Sequence, residues 1–588
     1  MSFPTHREKM RHSLAHLLAA AVLEKFPTAK LGIGPAVADG FYYDIQFSRP
    51  ITEELLRSFE QRMRELIRDD LPFSQTRWTK AKAHRFFKKQ PFKRELIKAL
   101  PGKTVGISRC GNFTDLCRGG HVERTSAIKA FTLTHTAGAY WRGDEKRPQL
   151  TRIYGLAFES EPELNEHRAR VEEARKRDHK ILGPKLGFFF FHETAPGMPY
   201  WLSKGMVVLN ELIRFWREEH GRYGYQEIAT PLVNKKELWE TSGHWEYYKD
   251  AMFLADMGKN EVYGVKPMNC PNAMVVFGSA IRSYKDLPLR LSDIDVIHRY
   301  ERSGTLNGLL RLRAFRQDDS HNFITEDQIG EEYRHIFDLA KRFYGVFGLP
   351  YHFRLGTRPK KFLGDRKTWD RAEAALKSIL DEKVGREKYA VFEGDGAFYG
   401  PKIDILMNDA LGREWQMGTW QLDFQQPRRF KLSYIDKDGK KKTPVVVHRV
   451  IYGSLDRFVG ILMEQFAGAF PLWLAPIQIR VLTVTQEVAP YTASVVEEFR
   501  RAGVRVDVDD SPETLPKKIR TAELEKIPLM VVLGKKEVAA HTVALRAHGG
   551  QDLGTKSCTD TVAFVRSHID RKSLSLQGAH LQRESGGG

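Results

Sequence analysis

The chain has 588 residues, of which 41% are hydrophobic and 28% charged, with a formal net charge of +19 and a pI near 9.5. This length is too great for one hydrophobic core, so we expect roughly three or four domains. No apolar run approaches the roughly 20 residues of a membrane span. The 4 cysteines are too few for a disulfide framework, which favours a reducing cytoplasm. The positive charge favours a polyanionic partner, nucleic acid first, without separating DNA from RNA.

The first region, residues 1–155, carries two pairs of candidate ligands at the same spacing. A helix is predicted near its start and places His12 and His16 on one face, four residues apart. Cys117 and His121 repeat that interval in FTDLCRGGHV. HxxxH together with CxxxH is a plausible set of metal ligands. Pairs of this kind also occur without function, and the residues alone leave both interpretations open.

A linker and a central domain follow. Residues 156–182 alternate acids and bases with few apolar positions, which predicts an exposed linker helix ended by Gly183-Pro184. In the central domain, 183–475, LNELIRFWREEHGRYGYQEIATPLV predicts an amphipathic helix followed by a strand. KPMNCPNAM places Cys270 between two prolines. A lone cysteine is usually a buried packing residue.

The stretch 298–323, HRYERSGTLNGLLRLRAFRQDDSHNF, predicts a hairpin whose two extended arms are joined by SGTLNG. Arg299 lies on the first arm, and Arg311 and further arginines lie on the second beside Phe315. Guanidinium forks on a rigid hairpin suit phosphate oxygens, and an aromatic ring beside them suits a base. A solvated basic hairpin is the alternative interpretation.

The end of the central domain contains a charge in an unusual place. GDGAFYGPK fits neither the P-loop nor the dinucleotide-binding glycine pattern, so neither site is expected there. REWQMGTWQLDF predicts a strand, and VVVHRVIYGSLDRFVGILMEQF predicts a buried strand with His448 followed by a helix. Arg457 falls in the first turn of that helix, where a cation is unfavourable unless an anion offsets it. This position indicates nucleotide binding.

Residues 476–575 alternate strands with helices, which predicts a parallel or mixed α/β sheet. The predicted strands are IQIRVLTVT, VRVDVDD, IPLMVVLG and VALRAHG. The tail, 576–588, ends in QRESGGG and is predicted to be disordered.

Three of these segments resemble the motifs of class II aminoacyl-tRNA synthetases. The helix–strand unit resembles motif 1, the R-x-E, turn, R-x-x-x-F pattern resembles motif 2, and the segment from His448 to Arg457 resembles motif 3. RQDDSH resembles the threonyl-tRNA synthetase family in particular. RHSLAHLLAAAV and DLCRGGH are similar to the editing domain of that family. The resemblance covers essentially the whole chain.

The resemblance implies an α+β multidomain fold. It consists of an N-terminal α+β editing domain, a class II catalytic domain with an antiparallel β-sheet and helices, and a C-terminal α/β anticodon-binding domain. The small ubiquitin-like N-terminal domain of many members would be missing. The implied reaction joins L-threonine and ATP as threonyl-adenylate and transfers threonine to its tRNA, in a cytoplasmic homodimer formed through motif 1. One Zn²⁺ per subunit and Mg²⁺ with ATP are the implied metals.

The resemblance also implies roles for individual residues. Catalysis is implied for Arg299, Arg311 and Arg457, which would also bind ATP, with Phe315 and Arg457 on the two faces of adenine. The other implied contacts are Glu301, Gln416 and Thr419 for ATP; Gln317, Asp319, Tyr399 and Gln421 for threonine; Cys270, His321 and His448 for zinc; His12, His16, Lys93, Asp115, Cys117 and His121 for editing; and Glu537 and Arg546 for the anticodon.

The need to discriminate between similar amino acids would explain why the chain has two sets of candidate metal ligands, one in the N-terminal region and one in the central domain. An apolar pocket separates threonine from nearly isosteric valine only about a hundredfold. Zinc that coordinates the threonine hydroxyl would reject valine but not serine, so a second, hydrolytic site is required. That site could use a bound metal or a metal-free hydrogen-bonding cluster, and the resemblance favours the latter. Two rival interpretations are a non-catalytic RNA-binding relative and a metallohydrolase on an RNA-binding scaffold.

Overall fold

The computed structural model describes residues 5–144, 146–259, 261–409 and 412–576. The chain divides into two compact units, Met1–Glu172 and Glu173–Gly588. The predicted domain boundaries near residues 155, 182 and 475 are finer than this division and remain predictions. The predicted tail lies, apart from Leu576, outside the described residues. No described helix is long and apolar enough to cross a membrane.

The first unit contains two antiparallel sheets and a buried N-terminal helix. Its helices are α1 (His6–Lys25), α2 (Glu53–Arg68), α3 (Lys80–Phe86) and α4 (Pro91–Ala99), and its strands are β1 (Lys30–Leu31), β2 (Ala36–Val37), β3 (Gly40–Gln46), β4 (Phe73–Thr79), β5 (Thr104–Cys110), β6 (Phe113–Leu116), β7 (Ala130–Tyr140) and β8 (Gln149–Phe158). One sheet has the order β1-β3-β8-β7 with β2 beside β3, and the other has the order β4-β5-β6. A capping box between Thr5 and Glu8 begins α1, and the four-residue spacing of His12 and His16 places both on one face of it.

The linker prediction is wrong about where the helix ends. The segment forms two helices, α5 (Glu161–Arg177) and α6 (His179–Leu186), and Pro184 lies inside the second. The break falls at Asp178 because its carboxylate accepts a hydrogen bond from the Lys180 N–H at 2.8 Å and caps α6. The Gly183-Pro184 pair therefore does not end the helix. Helix α6 ends at Gly187, which has a left-handed backbone conformation.

The central part of the second unit is built on one large sheet. Its remaining helices are α7 (Ser203–Arg222), α8 (Lys236–Ser242), α9 (His244–Tyr248), α10 (Cys270–Gly278), α11 (Ile329–Gly345), α12 (Arg366–Lys383), α13 (Gln426–Arg429) and α14 (Leu455–Gln465). Its strands are β9 (Phe189–Phe190), β10 (Tyr200–Trp201), β11 (Tyr225–Glu227), β12 (Val233–Lys235), β13 (Leu254–Asp256), β14 (Val262–Val265), β15 (Arg282–Ser283), β16 (Leu289–Asp293), β17 (Val296–His298), β18 (Ala314–Ile324), β19 (His352–Gly356), β20 (Ala390–Phe392), β21 (Lys402–Asn408), β22 (Glu414–Asp423), β23 (Tyr434–Ile435), β24 (Lys441–Lys442) and β25 (Val445–Ser454).

The large sheet has the order β11-β16-β18-β25-β22-β21-β19-β20, with β17 beside β18. All of its pairs are antiparallel except β11 with β16 and β19 with β20. The predicted class of catalytic sheet is thereby confirmed. β25 lies between β18 and β22 and is buried from Val445 to Gly453, with His448 and Arg449 among its otherwise mostly apolar residues.

The predicted hairpin is shorter than expected. β17 pairs with β18 only from Ala314 to Arg316, so residues 299–313, including Arg299 and Arg311, form the connection and not the arms. Local turn chemistry in SGTLNG suggested a tight turn. The connection instead follows the core because Leu309 and Leu310 are buried at 0% and 1% exposure.

The C-terminal part forms a separate five-stranded sheet. Its strands are β26 (Ile479–Thr483), β27 (Val506–Asp509), β28 (Leu529–Leu533), β29 (Thr542–Ala547) and β30 (Asp552–Ser557), and its helices are α15 (Ala489–Arg501), α16 (Leu515–Leu524), α17 (Lys535–Ala540) and α18 (Cys558–Asp570). The order is β27-β26-β28-β29-β30, parallel as far as β28 and antiparallel beyond it. The predicted mixed α/β sheet is confirmed, whereas β30 was not predicted.

Candidate active site and an N-terminal histidine–cysteine cluster

A cavity of about 690 Å³ in the second unit collects all the catalytic-domain site residues named above. The strands β18, β22 and β25 supply much of its wall. The connection 299–313, helices α9, α10 and α14, and residues 397–399 also contribute. The predicted residues that line it are Cys270, Arg299, Glu301, Arg311, Phe315, Gln317, Asp319, His321, Tyr399, Gln416, Thr419, Gln421, His448 and Arg457. Motifs far apart in sequence therefore meet at one place.

Strand register explains how the sheet brings these side chains together. His321 on β18 pairs with His448 on β25, and His448 pairs with Gln421 on β22. Two residues away along the strands, Asp319 and Thr419 both pair with Val450. Because side chains alternate between the faces of a sheet, both rows point to the same side.

Cys270, His321 and His448 form a candidate metal centre. Their ligand atoms all lie within 4.8 Å of one another, and the three residues are buried. His448 Nε2 lies 2.8 Å from Asp423 Oδ2, so this nitrogen donates to the carboxylate and Nδ1 keeps its lone pair. Burial lowers the pKa of His321 well below its ordinary value, which keeps the imidazole neutral as a ligand requires. Burial also raises the pKa of Cys270 well above its ordinary value, so a nearby cation is needed to form its thiolate.

Beside this centre, polar groups restrict the orientation of the predicted amino-acid contacts. Tyr399 donates its hydroxyl proton to Gln421 Oε1 at 2.5 Å. The Asn269 amide donates to Asp319 Oδ2 at 3.2 Å. Burial raises the pKa of Asp319 to about 6, and the nearby His448 partly offsets this. The pocket thus presents a fixed amide and a carboxyl group next to the candidate metal ligands.

Arginines gather at the other side of the cavity. Arg457 donates from Nε to Leu310 O at 2.8 Å and from Nη1 to Gln416 O at 2.6 Å. Burial, and then the charges of Arg299 and Arg311, lower the pKa of Arg457 to about 10. The Arg299 guanidinium lies 5.4 Å from the centre of the Phe315 ring. Cations held this close together suit an anionic ligand.

The remaining nucleotide-side residues are already bonded within the protein. Glu301 accepts from the Arg311 guanidinium at 3.0 Å. Gln416 and Thr419 both donate to Asp404 Oδ1, at 2.8 and 2.9 Å. Asp404 is fully buried and was missed at the sequence level, because no local motif marks it.

In the first unit, His12, His16, Cys117 and His121, which the family resemblance implied for one site, lie together. Their candidate ligand atoms lie within 4.8 Å of one another. Cys117 Sγ lies 3.5 Å from His12 Nε2 and 3.2 Å from His121 Nε2, and the His12 and His121 rings stack at 4.3 Å. Ligand spacing of this kind is compatible with a metal and equally with a hydrogen-bonded cluster.

Ser13, which sequence reasoning missed, fixes the tautomer of His121. The Ser13 hydroxyl donates its one proton to Lys9 O at 2.8 Å and accepts from the Val122 N–H at 3.1 Å. It can therefore only accept from His121 Nδ1, 3.2 Å away, so that nitrogen carries the proton. The opposite nitrogen, Nε2, is then free to accept a proton from Cys117.

A buried ion pair joins helix α4 to strand β6 of the same unit. Lys93 Nζ lies 2.6 Å from Asp115 Oδ1, and Tyr43 bridges the two, accepting from Lys93 at 2.8 Å and donating to Asp115 at 2.5 Å. Tyr43 was also missed, because nothing in its strand pattern marks it. A cavity of about 430 Å³ opens beside Cys117 and is lined by apolar residues and Arg118. Cys117 is thus the member of the cluster that lines this cavity.

The two predicted anticodon residues lie in the C-terminal sheet region. Glu537 is in the first turn of α17, where its carboxylate accepts from the Gly534 N–H at 2.8 Å. Arg546 is in β29, paired with Met530 and Asp552. Their proposed contact with tRNA remains a prediction.

Comparisons with known proteins cover all three regions. Family models match at residues 105–154, described as the threonyl and alanyl tRNA synthetase second additional domain, at 253–466, described as the tRNA synthetase class II core domain (G, H, P, S and T), and at 478–568, described as the anticodon binding domain. A threonine–tRNA ligase of Desulfosudis oleivorans is 47% identical over 96% of this chain and 88% of its own length. One of Desulfatibacillum aliphaticivorans is 48% identical with the same coverage.

Two solved structures also align with this chain. A crystal structure named as the RNA binding domain of threonyl-tRNA synthetase from Cryptosporidium parvum aligns with a TM-score of 0.64 and 40% identity, covering 68% of this chain and 99% of that one. A putative threonyl-tRNA synthetase from Aeropyrum pernix aligns with a TM-score of 0.59 and 29% identity, over 69% and 97%. The antiparallel sheet and its cavity are those of a class II aminoacyl-tRNA synthetase core. The chain belongs to the threonine–tRNA ligase family.

The His121 contact predicts a reactive Cys117. Burial alone raises the pKa of Cys117, but hydrogen bonds with His121 and Ser108 outweigh it and bring the pKa below the ordinary value. Burial raises the pKa of Cys110 to about 11. We expect iodoacetamide to modify Cys117 at least about tenfold faster than Cys110 near neutral pH, because alkylation requires the thiolate. Peptide mass spectrometry measures both rates.

The His121→Ala variant should raise the Cys117 pKa and shift its rate–pH profile to higher pH. The matched control is His135→Ala, an exposed histidine of the same unit, which should leave the profile unchanged. Equal alkylation of Cys110 and Cys117 would contradict the assignment.

Proposed function

We propose that the chain activates L-threonine with ATP, transfers it to its tRNA, and hydrolyses seryl-tRNA formed in error. Family membership supports the first two steps, and the match to the second additional domain supports the third. The single observation that carries the proposal is the cavity in which the arginines face the Cys270, His321 and His448 set. Anion binding and threonine recognition would occur side by side there.

Activation requires the threonine carboxylate to attack the α-phosphate of ATP in line. The protein must mostly position two anions and stabilise the spreading charge. Arg299 would hold the α-phosphate and the carboxylate, and Arg311 the β- and γ-phosphates. Phe315 and Arg457, which both line the cavity, would enclose adenine. Mg²⁺ bound with ATP would neutralise phosphate charge.

Zinc fits the candidate metal centre. One thiol and two imidazoles leave a fourth position open, the pattern of catalytic zinc sites, and the His448–Asp423 hydrogen bond supports a free Nδ1 on His448. When bound, zinc would supply a Lewis-acidic contact for the amino and hydroxyl groups of threonine. Gln421, fixed by Tyr399, and Asp319 would orient the substrate beside it.

Replacing one ligand tests the zinc site. In Cys270→Ser we expect zinc content, about one per chain in the parent, to fall below about 0.2, and threonine activation to fall at least about a hundredfold, since a ligand lost from such a site typically costs metal affinity. Inductively coupled plasma spectrometry and threonine-dependent ATP–pyrophosphate exchange give the two readouts. Cys110→Ser, a buried cysteine of the other unit, is the control. A zinc-free parent with full activity would contradict the proposal.

The same exchange assay separates the rival functions. A synthetase gives pyrophosphate exchange that depends on threonine, whereas an RNA-binding relative or a metallohydrolase gives none. Valine should support exchange far more weakly than threonine. Serine should support it measurably, because it retains both groups that zinc would contact.

The N-terminal cluster would carry out proofreading. His12, His16, Cys117 and His121 lie together, and Cys117 lines the 430 Å³ cavity. The Lys93–Asp115 ion pair joins helix α4 to strand β6. Hydrolysis of an ester needs a positioned base for water, and a neutral imidazole suits that role. Burial lowers the pKa of His12 and so keeps its imidazole neutral. We propose that this cluster works without a bound metal. The metal content of the purified protein variants tests this.

Removing both helix histidines should damage proofreading alone. We expect a His12→Ala, His16→Ala double variant to make threonyl-tRNA within about twofold of the parent rate but to hydrolyse preformed seryl-tRNA at least about a hundredfold more slowly, the usual contribution of acid–base groups. Deacylation of labelled seryl-tRNA measures this. His135→Ala is again the matched control. Undiminished deacylation by the double variant would show the editing assignment to be wrong.

We further propose a cytoplasmic homodimer. The motif 1 unit of α7 and β11 is followed by the exposed apolar side chains Leu232 and Val233, 43% and 49% exposed in the single chain. A two-fold interface would cover them. Sedimentation should show a dimer for the parent and a shift towards monomer for Val233→Asp. Val391→Asp, a 50% exposed valine on β20, should remain dimeric. A fully active parent monomer would refute the dimer.

A further inference from the structure

A third group of candidate ligands lies outside the cavity. Asp178, His179 and Glu464 have ligand atoms within 4.8 Å of one another. His179 is fully buried, and both of its nitrogens are in use: Nδ1 lies 2.6 Å from Glu464 Oε1, and Nε2 accepts the Leu309 N–H at 3.0 Å. A backbone N–H can only donate, so Nε2 carries no proton and Nδ1 donates to Glu464. No imidazole lone pair remains for a metal, and the group is a hydrogen-bonded relay to Leu309.

The relay is part of one face of α14. Arg457, Gly460 and Glu464 are spaced i, i+3 and i+7 and therefore share that face. All three reach the same segment: Arg457 donates to Leu310 O at 2.8 Å, a Cβ on Gly460 would lie 3.2 Å from Leu309 Cβ, and Glu464 holds His179 against the Leu309 N–H. The helix that carries Arg457 thus holds the connection at two adjacent residues, Leu309 and Leu310.

The segment itself is tightly fitted to the imidazole. Gly308 has φ +50°, and a Cβ there would lie 2.3 Å from His179 Nε2. Leu309 and Leu310 are buried at 0% and 1% exposure. Arg311, which lines the cavity, is the next residue along the chain. The hydrogen bond to Leu309 therefore fixes the backbone immediately before an arginine that faces the cavity.

We infer that His179, oriented by Glu464, is a positioning residue for ATP. It sets the backbone of Leu309 and Leu310 and thereby the placement of the Arg311 and Arg457 guanidinium groups. It has no contact with the Cys270, His321 and His448 centre, so threonine recognition is independent of it. The inference rests on the proposed activation of threonine with ATP.

The test compares steady-state ATP–pyrophosphate exchange in the parent and in His179→Ala. We expect the KM for ATP to rise about tenfold while the KM for threonine and the zinc content stay within about twofold. Lys185→Ala, an exposed residue of the same helix α6, is the control and should match the parent. A parent without any exchange would refute the proposed function, whereas a parent with exchange and an unchanged KM for ATP in His179→Ala would overturn only this inference.

Two substitutions at Glu464 test whether the orientation of the His179 imidazole affects the KM for ATP. They also test the inference if His179→Ala does not fold. Glu464→Gln retains an acceptor for Nδ1–H, so the KM for ATP should stay within about threefold of the parent. Glu464→Leu removes the acceptor and frees the other tautomer, whose Nε2–H would oppose the Leu309 N–H, so the KM for ATP should rise as in His179→Ala. Equal values for the two variants, or a parallel rise in the KM for threonine, would overturn the inference.

Discussion

The catalytic cavity depends on a carboxylate that substitutes for part of a β-ladder. Between Gln317 and Asp319 the pairing of β18 with β25 shifts register, which leaves backbone N–H groups at 451–453 without carbonyl partners on β18. The fully buried carboxylate of Asp318 accepts hydrogen bonds from all three, at 2.9 to 3.2 Å. Each of these groups would otherwise cost about 1–3 kcal/mol as an unsatisfied buried donor. The shift can therefore persist, and it sets the alignment of the motif 2 strand with the strand that leads into α14.

The way the arginines are held suits a ligand-binding cavity. Arg457 is held by the carbonyl oxygens of Leu310 and Gln416, and Arg299 donates to that of Pro267 at 3.1 Å. A carbonyl oxygen fixes a guanidinium group without neutralising it, so the positive charge remains for the ligand. Arg311 differs, since Glu301 shares its charge. The opposite end of the cavity contains the imidazoles of His321 and His448 and the thiol of Cys270. Charge and metal-binding groups are thus separated along one cavity wall, as substrates with distinct anionic and polar parts require.

Gln317, Asp319 and His321 alternate along one strand and therefore share one of its faces. The family resemblance identified these three residues and the other predicted residues that line the cavity. It did not predict partners that only the folded chain brings together: Asp423 meets His448 across neighbouring strands, and Ser13 meets His121 although 108 residues separate them. The turn at 303–308 was misjudged for the same reason, because local residues favoured a tight hairpin while burial of the following leucines extended the connection. Motif spacing identifies reacting groups, and tertiary contacts decide which groups orient them.

The alternation along β18 has a consequence for the evolution of the gene. Gln317, Asp319 and His321 face the cavity, whereas Asp318, Ser320 and Asn322 are buried in the protein at 0% exposure. Both faces of the strand are therefore committed, and inserting or deleting one codon between Ala314 and Ile324 would exchange them. Such a frame-preserving change would bury the cavity residues and turn the buried carboxylate outward. We therefore expect the length of this strand to be constant within the family, even where sequence identity is low.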